Sequence, residues 1–334
     1  MNSQTTHRFT QTKPLMNSIM NTPTHFPLRL AIAGGALSMF LLAGSPLRAT
    51  ESAQTFATPE AAVTALASAV QTTNRPALHA LFGPDGDDLV NPDPVQGANE
   101  FADFTAGLSE TNHLLVESDT RRTLVLGRDA WPFPIPIVRK EGRWSFDTAA
   151  GKGEIVNRRI GRNELDTLES VRAYVVAQRE YAAKDRDGDE VLEYAQKFLS
   201  SPGRKDGLYW PPNLDGELSP LGPLTAQAQG EGYSVKARKG GAAPEPFHGY
   251  FFKILTRQAA SAPGGKHDYL INGNMIAGFA LVAWPAEYGE SGIMTFIVNQ
   301  QGKVYQKDLG PKTAKLAADL KAYDPDKTWN VSVD

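Results

Sequence analysis

Residues 148–181 read TAAGKGEIVNRRIGRNELDTLESVRAYVVAQREY, and the fold turns on how this stretch divides. Its opening, Thr148–Gly153, is small and glycine-containing, the composition of a flexible connection. From Asn163-Glu164 onward, Leu165, Leu168, Val171, Val175, Gln178 and Tyr181 fall on one stripe at helical spacing, the longest helical pattern in the chain. A flexible stretch followed by a long helix predicts a boundary between Gly153 and Gly161. It assigns residues 50–157 to an N-terminal α+β domain and 158–334 to a C-terminal α+β domain with a long first helix.

Upstream, Thr58-Pro59-Glu60 carries a helix-start signature ahead of Ala62, Val63, Leu66 and Val70. Shorter helices are expected at Pro76–Phe82 and Glu100–Leu108, then strands at His113–Val116, Thr123–Leu126, Phe133–Val138 and Trp144–Phe146. Arg139-Lys-Glu-Gly142 is a hairpin signal between the last two. That order is like the nuclear-transport-factor-2-like fold. Downstream, a Pro- and Gly-rich stretch, 201–222, and a short helix at Leu221–Gln229 precede strands at Tyr250–Thr256, Asp268–Ile271, Gly278–Trp284, Ile293–Val298 and Val304–Asp308. One long helix on an antiparallel sheet is loosely pilin-like.

The N-terminus reads as an address. Residues 1–49 hold Arg8, Lys13, Arg29 and Arg48 but no acid, and the apolar run Leu30–Ala43 follows Arg29 directly. The run is too short to span a bilayer, and Gly44-Ser45-Pro46 breaks it before Leu47-Arg48-Ala49. A secretory signal peptide cut near Ala49 is expected, with Met1, Met16 or Met20 as the start, and hence a periplasmic or secreted protein without a membrane span in its mature part. The alternative is a retained N-terminal anchor.

The whole chain of 334 residues carries 34 basic and 37 acidic residues, and its mean hydropathy is −0.34. No run interleaves Lys or Arg with aromatics, so nucleic acid is disfavoured as a partner. With no Cys, the chain has no disulfide, thiol nucleophile or lipid-anchoring cysteine.

Four constellations could carry chemistry. Asp185, Asp187, Asp189 and Glu193 place alternate carboxylates on a turn, the arrangement that ligates Ca²⁺; a calcium loop wants Gly where Glu190 stands and a bidentate Glu where Gln196 stands. The alternative is a solvated turn ending the long helix. His248 and Asp268 could form an acid/base pair and, with Ser291, a dispersed hydrolase site, although Gly289-Glu-Ser291-Gly292 has Ile293 where a nucleophile elbow needs Gly. The alternative places His248 at a strand start and Ser291 in a tight turn. Trp131-Pro-Phe-Pro-Ile-Pro136 forces an extended path, either a docking edge or a protected edge strand. Trp131, Phe133 and Trp144 could line an apolar pocket.

The chain carries the strings Asp206-Gly-Leu-Tyr-Trp-Pro211, Ser219-Pro-Leu-Gly-Pro223, His248-Gly-Tyr250, Asn272-Gly-Asn-Met-Ile276, Pro285-Ala-Glu-Tyr-Gly289 and Val304-Tyr-Gln-Lys-Asp-Leu-Gly310. Together they resemble one bacterial family of secreted proteins, catalogued as domain of unknown function 2950. The resemblance covers nearly the whole chain after residue 49 and implies an exported protein with no assigned catalytic residues. The family pattern has Gly where Glu190 stands, which counts against the calcium loop here. The reading that results is a non-catalytic binding or envelope-assembly protein, with an envelope protein as its partner and no cofactor other than the Ca²⁺ considered above. The dispersed hydrolase is the alternative.

Overall fold

The structure, a computed structural model, describes residues 52–332 apart from 187, 213–215 and 236–244. The expected signal peptide therefore lies outside the described residues. The described residues form one compact unit of α+β architecture.

The chain opens with three helices, α1 (Pro59–Gln71), α2 (Arg75–Phe82) and α3 (Pro94–Glu110). Each starts on a residue whose side chain accepts a backbone N–H of the first turn: Thr58, Asn74 and Asp93. Strands β1 (Asn112–Ser118), β2 (Arg121–Leu126), β3 (Trp131–Pro132), β4 (Ile137–Lys140) and β5 (Arg143–Phe146) make an antiparallel sheet in the order β1-β2-β4-β5, with β3 also on β2. Glu141 (φ 51°) and Gly142 (φ 76°) take the left-handed conformations that a two-residue hairpin requires. Leu66, Leu81, Leu124, Ile137, Trp144 and Phe146 join in the core between helices and sheet.

Helix α4 (Thr148–Tyr181) follows, and here the structure corrects the sequence reading. Thr148–Gly153 is not a connection but the opening of the helix, started by Asp147, whose Oδ1 accepts from Ala150 N. Gly151 is small because the helix lies on Ile135: a Cβ at 151 would stand 2.7 Å from Ile135 Cα. The glycine serves close packing, a use that composition alone does not separate from flexibility. Leu165, assigned to the buried stripe, is 65% exposed, while Leu168, Val171, Tyr174, Val175 and Tyr181 are buried.

Beyond α4 come α5 (Gly222–Glu231), β6 (Tyr250–Leu255), β7 (Arg257–Gln258), β8 (His267–Asp268), β9 (Leu270–Ile271), β10 (Asn274–Met275), β11 (Ala280–Pro285), β12 (Met294–Asn299), β13 (Tyr305–Asp308), α6 (Thr313–Asp319) and β14 (Asn330–Val331). The second sheet runs β14-β13-β12-β11-β6, antiparallel throughout. The strand expected at Asp268–Ile271 is instead parts of two small ribbons, β7-β8 and β9-β10. The second half of α4 packs on this sheet, with Tyr174 Oη donating to Ala280 O (3.2 Å).

Two glycines of α4 test this arrangement. Gly151→Val should destabilise the protein by about 1–3 kcal/mol through overpacking against Ile135. Gly153→Ala, exposed and with nothing within 4 Å of the added carbon, should stabilise by about 0.5–1 kcal/mol, as an interior helical position does. Urea melts of both variants check this; a flexible connection would leave both near zero.

Candidate functional site

Between its two hydrophobic ends, α4 buries Arg159, Asn163 and Thr167. Buried polar groups need partners, and the partners of Asn163 come from both halves of the chain. Asn163 Oδ1 accepts from Gln96 Nε2 (2.7 Å), and Asn163 Nδ2 donates to Ser291 O (2.9 Å). Asp93, 1% exposed, starts α3 with Oδ1, while its Oδ2 accepts from Tyr233 Oη (2.8 Å) and Gly249 N (3.3 Å). Burial and the adjacent Asp93 carboxylate push the Tyr233 phenol pKa up, so it remains the donor. Glu164 Oε1 accepts from Ile293 N and Met294 N at the start of β12. Gly249 (φ 72°) sits at the closest approach: a Cβ there would lie 2.6 Å from Asn163 Nδ2 and 3.0 Å from Ser291 Cβ.

His248 occupies the edge of this seam in a left-handed conformation (φ 47°). Its Nε2 is 2.5 Å from Glu231 Oε2 at the end of α5. Its Nδ1, buried and without a hydrogen bond of its own, is 3.1 Å from Asp166 Oδ2 on α4. Burial works against charge on the ring, but Asp166 and Glu231 outweigh it and hold the imidazole pKa above its ordinary value. The ring stacks on Phe247, centroids 4.2 Å apart, and Phe247 meets Tyr233 edge-on at 5.0 Å.

The other side of Phe247 and Tyr233 faces a cavity of about 310 Å³ between α4, α5 and β6. Tyr174, Tyr209, Leu224 and Tyr250 contribute to its largely apolar wall. Its volume is at the lower end of the roughly 300–1,000 Å³ typical of ligand pockets.

The structure gives the three residues of the expected hydrolase separate partners. Among the described residues no hydrogen bond joins any two of them: His248 faces Asp166 and Glu231, Asp268 pairs with Arg257 (3.2 Å), and Ser291 Oγ bonds the backbone of Glu287. The carboxylates of the expected calcium turn are turned onto their own surroundings. Asp185 accepts from Gly188 N and Glu190 N, Asp189 from Val191 N and Asn274 Nδ2, and Glu193 from Met275 N. Asp187 lies outside the described residues. Among the described residues no three His, Asp or Glu side chains form a set able to hold a metal ion. Phe133 and Trp144 are buried in the core of the first sheet, and the exposed Trp131 carries Arg158 over its ring at 5.4 Å.

Asp93, Asp166, Glu231 and Tyr233 are the site residues that sequence reasoning missed. Only Asp93-Pro94 carried a local signal, that of a helix start.

Because the His248 pKa is raised by folding, its ion pairs stabilise fully below the unfolded value of about 6.5, and that stability is lost as pH rises through the folded value. The urea midpoint should therefore fall over this window, and His248→Gln should remove that component of the fall. Gly249→Ala should cost several kcal/mol, on the order of a severe overpacking substitution, read from the same melts.

No helix among the described residues is long and apolar enough to cross a membrane. Searches of curated proteins and of solved structures give no match to this chain. The sequence pattern of one family, described as "Protein of unknown function (DUF2950)", matches residues 53–332, and the chain belongs to that family.

Proposed function

We propose that this is an exported, non-catalytic binding protein that takes a small, largely apolar ligand into the cavity between α4, α5 and β6. The observation that carries the reading is the cavity itself, about 310 Å³ with aromatic and aliphatic walls. Apolar surface left in a cavity of that size gains most from an occupant that displaces water without needing many hydrogen bonds. His248 supports a holding role over a chemical one. It does not line the cavity, both its nitrogens face carboxylates, and it backs the wall residue Phe247. Export is supported by the basic segment and apolar run at 29–43 and the small-residue site at 47–49. An envelope protein that receives the ligand, or that assembles with this one, fits such a location.

Two experiments test this. Titration of the protein residues 50–334 with N-phenyl-1-naphthylamine, a neutral apolar fluorophore, should give a saturable rise in emission with one site per chain. Leu224→Trp, which fills the cavity from α5, should abolish that rise while leaving the far-ultraviolet spectrum unchanged. Absence of saturable binding to the parent protein, or equal binding by the variant, would refute the cavity reading. For export, mass spectrometry of fractionated cells should find the protein in the envelope fraction with its N-terminus near Thr50; an intact N-terminus in the cytosol would refute it.

A further inference from the structure

We propose that β1 is an assembly edge, on which two copies of this chain pair antiparallel about a two-fold axis at Leu115 to join two first sheets into one. The first sheet has two edges of different character. At β5 the edge is covered by the chain itself: Phe56 N donates to Trp144 O (2.7 Å) and Trp144 N to Phe56 O (2.9 Å). At β1 no strand among the described residues pairs with the outer side, and six of its seven residues are exposed, including Leu115 at 52% and Val116 at 66%. Edge strands that stay single carry Lys or other charges, Pro, or bulges; Asn112-His-Leu-Leu-Val-Glu-Ser118 has no Lys or Pro, and its one acid and its bulge stand together at Glu117, past the regular ladder.

The direction of the hydrogen bonds sets the register. Gly127 N donates to Thr111 O (2.9 Å), and Thr111 is the residue before β1. In the antiparallel alternation, residues 113 and 115 therefore address β2, opposite Val125 and Thr123. Leu114 and Val116 turn their N–H and C=O groups outward. Leu124, opposite Leu114, fits this alternation, since its carbonyl points away from β1 to accept from Phe133 N.

The pairing with β2 shifts at Glu117, so the regular ladder ends at Val116. A two-fold axis at Leu115 uses that whole ladder. Leu114 of each copy meets Val116 of the other, closing four backbone hydrogen bonds. The two exposed Leu115 side chains face each other at a close, non-hydrogen-bonded position, while Glu117, beyond the regular ladder, keeps Arg121 and Thr123 of its own chain as partners. A second copy thus supplies apolar and hydrogen-bonding complementarity from one strand, as an isologous contact must.

The absence of cysteine makes the test direct, because Leu115→Cys introduces the only thiol. Opposed residues of this kind have Cα atoms about 4.5 Å apart, within disulfide range. Under mild oxidation Leu115→Cys should give a disulfide dimer at least about tenfold faster than Val116→Cys, whose two copies are offset along the strands. In sedimentation the parent protein should show a concentration-dependent dimer that Leu115→Arg disperses to monomer with an unchanged far-ultraviolet spectrum. Equal oxidation rates for the two cysteine variants, a dimer indifferent to Leu115→Arg, or a parent protein monomeric at about 100 μM would each overturn the proposal. Ligand binding in the cavity can fail or succeed independently of all three.

Discussion

One helix serves two hydrophobic cores, and the rest of the structure is arranged around the cost of that. Over about 51 Å, at 1.5 Å per residue, α4 begins against the first sheet at Gly151 and Ile155 and ends against the second at Tyr174 and Tyr181. Its middle is buried where neither core reaches and its side chains there are polar; Asn163 finds hydrogen-bond partners at both ends of its amide, whereas Thr167 Oγ1 and Arg159 Nε find none among the described residues. Asn163 is the centre of this seam. Gln96 and Ser291, 67 and 128 residues away in sequence, meet on its two amide ends. Gly249 has no side chain because the approach of its backbone to Asn163 leaves no room for one.

The same seam shapes the wall of the cavity. Asp93 and Gly249 join the start of α3 to the turn before β6, and Tyr233, held by Asp93, stands at the end of the α5 segment. His248 lies between Asp166 and Glu231, tying α4 to α5 while its ring supports Phe247. Helix α5 brings an almost uniform mixture of small and polar residues, with Thr225 and Ala228 buried and no capping side chain at its start. Its position is therefore set by what it touches, and the ion pair of Glu231 with His248 is a contact of that kind. The family to which the chain belongs matches residues 53–332, a span that includes both cores, the seam and the cavity.

Where a structural signal is local, the residues disclose it. Thr58 and Asp93, each followed by proline, and Asn74, with Pro76 two residues on, set the starts of three helices; Glu141-Gly142 closes a hairpin; runs such as Ala280–Pro285 and Met294–Asn299 are long enough and apolar enough to be central strands. The α+β class follows from the order of such elements. The expected hydrolase residues show the opposite case. His248, Asp268 and Ser291 were grouped by chemical type, and nothing in their spacing showed that Asp268 would sit on an exposed ribbon beside Arg257 or that Glu287 would take the serine hydroxyl.

By itself, then, the amino-acid order determined the α+β class and the elements with strong local signals, such as α1 and the β4-β5 hairpin, because caps, turn conformations and side-chain periodicity act over a few residues. Tertiary structure alone decided that Thr148–Gly153 belongs to α4 and that residues 93, 166, 231 and 248 meet. A glycine that permits contact with Ile135 has the same local chemistry as one that permits bending. A carboxylate acquires an imidazole partner only when the packing of two cores has brought their elements within reach.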